Sequence, residues 1–173
     1  MDLREVIESY PDFPKAGILF RDVSPVFRSS LALSHIAEEF YRRLSSVKVD
    51  TVAGIESRGF VVATVLARRF GTGMIMIRKA GKLPGATAKK SYEIEYGSAV
   101  MELQQESVSK GQSVLVADDL IATGGTASAA AQLIEHVGGK VAGFAIVIEL
   151  ARLKGADRMR KLGYGVESLV VYD

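Results

Sequence analysis

The stretch of residues 114–130, VLVADDLIATGGTASAA, constrains the fold more than any other part of the chain. Its apolar start predicts a buried strand over residues 113–117. Two adjacent acids, Asp118 and Asp119, follow that strand, and a loop of small residues then leads into a predicted helix over residues 126–137. A strand, a tight loop and a helix in this order form the repeating unit of parallel α/β sheets. The stretch therefore predicts an α/β fold.

The loop of residues 122–126, Ala-Thr-Gly-Gly-Thr, suits a phosphate group. Small residues let the backbone approach a ligand closely, and N–H groups at the start of a helix attract anions. Asp118 and Asp119 stand at the carboxyl end of a strand, where open α/β sheets bind ligands, and they suit either sugar hydroxyls or a metal ion. The alternative is a plain strand–turn–helix connection with aspartates as turn formers, which the acid pair and the flanking threonines disfavour.

Two better-known phosphate loops do not match this chain. Residues 54–59, GIESRG, are followed by Phe60 and not by the lysine of a nucleoside-triphosphate loop. Residues 71–73, GTG, lack the third glycine of a dinucleotide fingerprint. Neither kind of nucleotide site is predicted.

The rest of the chain alternates apolar strands with helices. Helices are predicted over residues 31–44, with Ser29 or Ser30 as the cap, and over 59–70. Residues 79–91 hold glycine, proline and lysine with little that is apolar, which predicts a mobile loop. Further strands are predicted over 49–55, 74–77, 141–148 and 166–172, and a hairpin over 92–96 and 99–104. The pattern indicates one domain with a mainly parallel sheet covered by helices on both faces.

Composition excludes several function classes. The chain has 22 basic and 20 acidic residues, and a net charge of +2 does not argue for nucleic acid. It has no cysteine, which excludes a disulfide scaffold, a thiol nucleophile and a cysteine-ligated zinc site. No apolar run approaches the roughly 20 residues that cross a bilayer. We expect a soluble, cytoplasmic protein without a membrane or nucleic-acid partner.

Residues 118–126, Asp-Asp-Leu-Ile-Ala-Thr-Gly-Gly-Thr, resemble the phosphoribosyl pyrophosphate signature of the type I phosphoribosyltransferases. Four further segments resemble the adenine-specific branch of that family, in the same order along the chain: residues 12–25, 56–60, 77–85 and 91–97. Small departures are Val23, where isoleucine is usual, and Glu56, where some members have aspartate. The resemblance implies the type I fold, with a hood over the base at residues 1–30 and a flexible closing loop and hairpin at 79–104.

The resemblance implies a purine salvage reaction: adenine and phosphoribosyl pyrophosphate give AMP and pyrophosphate. Mg²⁺ would be held mainly by substrate and water, with no metal ligand from the protein. The family also implies a homodimer, in which Arg78 and Lys79 can reach toward the neighbouring site. Two alternatives stay open. One is a phosphoribosyltransferase for a 6-oxopurine, and the other is a non-catalytic regulator that binds the sugar donor on the same fold.

Roles for single residues also follow from the resemblance. Asp118 and Asp119 would hold the ribose hydroxyls, and the loop 122–126 would cradle the 5′-phosphate. Glu56, Ser57 and Arg58 would form a pyrophosphate loop that contains a non-proline cis peptide in this family. The residues implied to bind substrate are Leu19, Phe20, Arg21, Glu56, Ser57, Arg58, Arg78, Lys79, Tyr96, Asp118, Asp119, Leu120, Ala122, Thr123, Gly124, Gly125 and Thr126.

The residues implied to act in catalysis are Glu95, Arg58 and Lys79. Glu95 would accept the adenine proton or orient the base, with Tyr96 or water as the alternative. Arg58 and Lys79 would support the charge of the leaving pyrophosphate. The competing interpretation makes Glu95 a solvated hairpin residue and the two cations ordinary surface groups.

Overall fold

The computed structural model of the chain describes residues 1–94 and 97–173. In that part the strands are β1 (Glu8–Pro11), β2 (Leu19–Asp22), β3 (Thr51–Ile55), β4 (Met74–Lys79), β5 (Thr87–Ile94), β6 (Gly97–Gln104), β7 (Ser113–Ile121), β8 (Lys140–Leu150) and β9 (Val166–Tyr172). The helices are α1 (Ser24–Arg28), α2 (Ser30–Arg43), α3 (Gly59–Phe70), α4 (Gly125–His136) and α5 (Gly155–Lys161). Short 3₁₀ helices lie at Leu3–Glu5, Gln105–Ser107 and Ala151–Leu153.

Seven strands form the central sheet in the order β5-β6-β4-β3-β7-β8-β9. Strands β4, β3, β7, β8 and β9 are parallel, and the β5–β6 hairpin adds to β4 in antiparallel fashion. Along β7, Val114 and Val116 face a core shared with α4 and α5, whereas Leu115 and Ala117 face a core shared with α2 and α3. The predicted α/β fold, with helices on both faces of a mainly parallel sheet, is therefore confirmed.

Local sequence signals located several elements closely. Helix α3 has the predicted bounds, and the Ser29 hydroxyl caps α2 by accepting from the Ala32 N–H at 3.2 Å. The amphipathic face of α2 buries Ile36 and Phe40 completely. A helix cap and the helical spacing of apolar residues depend only on residues close together in the chain, so the sequence alone is enough to predict them.

Three predictions of local structure were wrong. The hairpin was predicted with residues 97 and 98 between its strands, but β6 begins at Gly97, which pairs with Ile94. Strand β7 does not end at residue 117 but continues through both acids to Ile121, because β8 lies beside it and pairs with it that far. The segment 79–91 is not all loop, since its residues 87–91 belong to β5. That strand pairs with β6 along its length and buries Ala88. These tertiary contacts stabilise a strand that the lysine-rich composition does not predict.

The N-terminal hood is an antiparallel ribbon, β1 with β2, followed by the short helix α1. The peptide bond between Phe13 and Pro14 is cis, within the connection between the two strands. Leu3 and Ile7 bury their side chains and so attach the hood to the α2 and β9 side of the core. Within the described residues, no helix has both the length and the apolar character needed to span a membrane.

Candidate active site

The loop 122–126 and Asp118 line one cavity of about 180 Å³ at the carboxyl end of β7. Helix α4 begins at Gly125, so its first free N–H groups point into this loop. Gly124 has φ +81°, a left-handed conformation that glycine adopts without strain. Leu120 also lines the cavity. The structure thus places Asp118 and the loop 122–126 around one cavity with the N–H donors that a phosphate needs, whereas Asp119 does not line it.

The acid pair is tied to the neighbouring strand end through Arg58. Asp119 is 6% exposed, and its Oδ2 lies 2.6 Å from Arg58 Nε. That approach is outside hydrogen-bond geometry, so the buried Oδ2 has an ionic neighbour but no hydrogen-bond donor among the described residues. Oδ1 of Asp118 accepts from the Asp119 N–H at 2.9 Å. The carboxylate of Asp119 is therefore held by the Arg58 charge and not by hydrogen bonds to its buried Oδ2.

The two carboxyl groups of the pair differ in their electrostatic surroundings. Desolvation raises the pKa of Asp118 well above its ordinary value, and the negative charge of Asp119 raises it further. The Asp119 N–H and the Arg58 guanidinium act in the opposite direction without reversing the shift. The charged form of Asp118 is therefore disfavoured by burial and by the second carboxylate beside it.

Glu56 follows β3 and joins its end to the end of β4. Its Oε2 accepts from the Lys79 backbone N–H at 2.9 Å, and the Arg78 guanidinium reaches both of its oxygens at 3.3 Å. Burial opposes ionisation of Glu56, but the Lys79 amide and the Arg78 cation hold its pKa below the ordinary value. The Glu56 carboxylate is thus engaged inside the protein, and Arg78 is held in place by it.

The peptide bond between Glu56 and Ser57 is cis, as the resemblance implies for this loop. Ser57 is exposed, and so is Lys79. The Lys79 side chain has no ion-pair partner in the described part of the chain. Ser57 and Lys79 are therefore exposed beside the engaged pair of Glu56 and Arg78.

The hood forms a second cavity, of about 370 Å³, that sequence analysis located only in part. Its lining residues are Tyr10, Phe13, Phe20, Asp22, Ser24 and Arg58. The Phe13 and Phe20 rings meet edge to face at 5.1 Å, and the Arg58 guanidinium carbon lies 5.6 Å from the Phe20 ring centroid. Phe20 and Arg58 were predicted, but Tyr10, Phe13, Asp22 and Ser24 were not, although three of these lie in the matching segment 12–25. An aromatic, cation-edged cavity suits a flat heterocycle.

Comparison with known proteins identifies the family. A model of the phosphoribosyl transferase domain matches residues 26–171. Adenine phosphoribosyltransferase from Cenarchaeum symbiosum is 55% identical over 172 residues, which cover 99% of this chain and all of that protein. The chain belongs to the adenine phosphoribosyltransferase family.

Solved structures of that family have the same fold. Adenine phosphoribosyltransferase from Thermoanaerobacter pseudethanolicus superimposes with a TM-score of 0.93 at 40% identity, covering 98% of both chains. The enzyme from Saccharomyces cerevisiae, complexed with an imino-altritol bisphosphate and adenine, gives a TM-score of 0.89 at 39% identity, covering 96% of both chains. The likeness therefore extends over the hood as well as the sheet.

The remaining predicted residues fall into two groups. In the hood, Leu19 is 49% exposed, while the Arg21 guanidinium stacks over the Tyr172 ring at 3.8 Å and donates to Ser9 Oγ at 2.6 Å. The Arg21 side chain is thus engaged within the fold. Glu95 and Tyr96 lie outside the described residues, so their roles stay predictions from the sequence.

Proposed function

We propose that the chain transfers the phosphoribosyl group of phosphoribosyl pyrophosphate to N9 of adenine, giving AMP and pyrophosphate. The observation that carries this proposal is the position of Arg58. Its guanidinium lies beside Asp119 of the acid pair and also lines the aromatic hood cavity. A sugar held by the acid pair and a base held in the hood would therefore meet at Arg58, as the reaction requires.

The phosphoribosyl donor would be held along the carboxyl ends of the parallel strands. The loop 122–126 would bind the 5′-phosphate through backbone N–H groups and threonine hydroxyls. Asp118 and Asp119 would bind the ribose hydroxyls; the buried Oδ2 of Asp119, which has Arg58 as an ionic neighbour but no hydrogen-bond donor among the described residues, supports this role. Ser57, Arg58 and Lys79 would face the pyrophosphate, whose negative charge increases as it leaves.

Mg²⁺ fits this site mainly through the substrate. The ion keeps several waters and binds phosphate oxygens in preference to an all-protein cage. Oδ2 of Asp119, buried without a hydrogen-bond donor, offers an acceptor for a metal-bound water or a hydroxyl. When bound, the ion supplies charge neutralisation for the leaving pyrophosphate, while positioning the sugar and the base is the work of this chain's own residues.

Adenine would be selected in the hood by backbone groups. Adenine presents a donor at N6 and an acceptor at N1, whereas hypoxanthine presents the reverse. Backbone groups of Leu19 and Arg21 would pair with the adenine pattern, with Phe20 stacking on the ring. The resemblance puts Leu120 on the far side of the base, but Leu120 lines the cavity of the loop 122–126 and not that of the hood. Each buried mismatch costs about 1–3 kcal/mol, so two mismatches imply roughly 10²–10⁴-fold discrimination.

Three further parts of the proposal rest on the family resemblance. Glu95 would take the proton that adenine loses as N9 bonds to the sugar, or would orient the base. The active form would be a homodimer, with a mass in light scattering of twice the 18.6 kDa chain. The cytoplasm is the expected location.

The test is turnover with phosphoribosyl pyrophosphate, Mg²⁺ and each of adenine, hypoxanthine, guanine and xanthine. We expect adenine to be favoured by at least about 10²-fold in kcat/KM. Comparable turnover of hypoxanthine would indicate a 6-oxopurine enzyme, and donor binding without turnover would indicate a regulator. Arg58→Ala should lower kcat/KM, whereas the matched control Arg68→Ala should not, because Arg68 is exposed on α3 and lines a different groove.

A further inference from the structure

Helix α5 lies directly behind the loop 122–126. Its first residue, Gly155, donates its backbone N–H to the Ala122 carbonyl at 2.9 Å. A Cβ atom on Gly155 would come within 2.6 Å of the Gly124 backbone nitrogen and closer still to the Ala122 carbonyl oxygen. Because these neighbours are backbone atoms, no side-chain movement could relieve the overlap. Only glycine fits at position 155 while the loop keeps its conformation.

The contact is reciprocal. A Cβ atom on Gly124 would lie 2.9 Å from the Gly155 carbonyl oxygen and 3.1 Å from its Cα, and Gly124 also has φ +81°. The two glycines thus place two backbones in direct contact, with one hydrogen bond across them. Because close-packed backbone atoms cannot overlap, a shift of Gly155 would force a shift of the loop backbone at Gly124.

Helix α5 is itself anchored to the sheet. Arg160 reaches Glu149 of β8 with Nη2 at 3.0 Å and Nη1 at 3.3 Å, and the Ser168 hydroxyl of β9 donates to the same carboxylate at 2.7 Å. Glu149 is 7% exposed, so this is a largely desolvated and paired charge. Ala156 and Met159 add apolar anchors in the core that α4 shares. The position of Gly155 is therefore set by β8 and β9.

We infer that Gly155 is a positioning residue for the 5′-phosphate of the substrate. Through the Ala122 and Gly124 backbone, the anchored helix α5 holds the phosphate loop in its binding conformation. The inference rests on the proposed function, because it takes the loop 122–126 as the sugar-phosphate site. Gly155 lies outside every motif that sequence analysis singled out, and its short helix supplies no ligand group of its own.

The test compares Gly155→Ala with Gly165→Ala. Gly165 follows the same helix, has open space where a Cβ would stand and has no positive φ, so it is a matched control. We expect Gly155→Ala to raise the KM for phosphoribosyl pyrophosphate at least tenfold and to weaken ribose 5-phosphate binding in calorimetry by a similar factor. The KM for adenine should stay within twofold. A general loss of structure would move both KM values or the active fraction instead.

A measurement on the wild-type protein covers the case in which Gly155→Ala fails to fold. Ribose 5-phosphate should slow amide hydrogen exchange in residues 151–162, whereas adenine alone should not. If the wild type turns over no purine, the proposed function fails. If the wild type is active but the two glycine variants behave alike, or ribose 5-phosphate leaves exchange in 151–162 unchanged, the inference about Gly155 is overturned while the function stands.

Discussion

Replacing Glu102 tests how the chain holds the turn that follows β4. Glu102 lies on β6 and is 1% exposed. Its Oε1 accepts from the backbone N–H groups of Lys82 and Leu83, both at 2.8 Å, and its Oε2 accepts from the Thr87 hydroxyl at 3.3 Å. A single buried carboxylate therefore organises the start of a segment that sequence analysis took for a mobile loop.

The expected magnitudes follow from this geometry. Glu102→Ala leaves two backbone N–H groups unsatisfied, at about 1–3 kcal/mol each, so the free energy of unfolding should fall by about 2–6 kcal/mol. Glu102→Gln keeps one oxygen that can accept both backbone hydrogen bonds but loses the negative charge that makes such bonds about twice as strong. Its free energy of unfolding should therefore fall by only about 1–2 kcal/mol. Glu102→Ala should therefore be clearly less stable than Glu102→Gln.

The charge also makes part of this stability depend on pH. Burial alone would raise the pKa of Glu102, but the amides of Leu83 and Lys82 outweigh it and hold the pKa below its ordinary value of 4.5. A lowered folded-state pKa stabilises the fold above the unfolded-state value, and this contribution is lost as the pH falls through the folded-state value. The gap between the wild type and Glu102→Gln should be full at pH 7 and should narrow below about pH 4.5.

Urea unfolding at several pH values, with amide exchange of Lys82 and Leu83, measures both effects. The control is Glu106→Ala, which removes an exposed carboxylate close by in the chain and should change stability by no more than about 0.5 kcal/mol. The reasoning is refuted if Glu102→Ala costs no more than the control and the two amides exchange as in the wild type.

Three further predictions concern the reaction. Asp118→Ala and Asp119→Ala should each remove about 2–4 kcal/mol of transition-state stabilisation, measured as kcat/KM for the sugar donor; wild-type values in both would contradict the assignment. Phe20→Ala should raise the KM for adenine, because losing the stacking contact weakens adenine binding by about 1–3 kcal/mol. Arg21→Ala should keep the preference for adenine over hypoxanthine. If only Arg21→Ala loses that preference, the Arg21 side chain and not its backbone recognises the base. Glu95→Gln should slow the chemical step about 10²-fold or more in single-turnover kinetics, and an unchanged step would leave Tyr96 or water as the base.

The sequence by itself determined what depends on short stretches of chain. The bounds of α3, the cap of α2 and the strand–loop–helix order around residues 122–126 were all predicted, because helix periodicity, capping and turn chemistry are properties of neighbouring residues. The family resemblance added the hood and the pyrophosphate loop, since its motifs lie in segments along the whole chain. It did not show which side chains in those segments face a cavity.

Only the tertiary structure decided how distant segments support one another. Strand β7 continues past Asp118 because β8 pairs with it, and a lysine-rich segment becomes β5 because β6 lies beside it. The ion pair of Arg58 with Asp119 and the contact of Gly124 with Gly155 each join residues far apart in the chain. The physical reason is that such contacts depend on the order of strands in the sheet, which no local periodicity encodes.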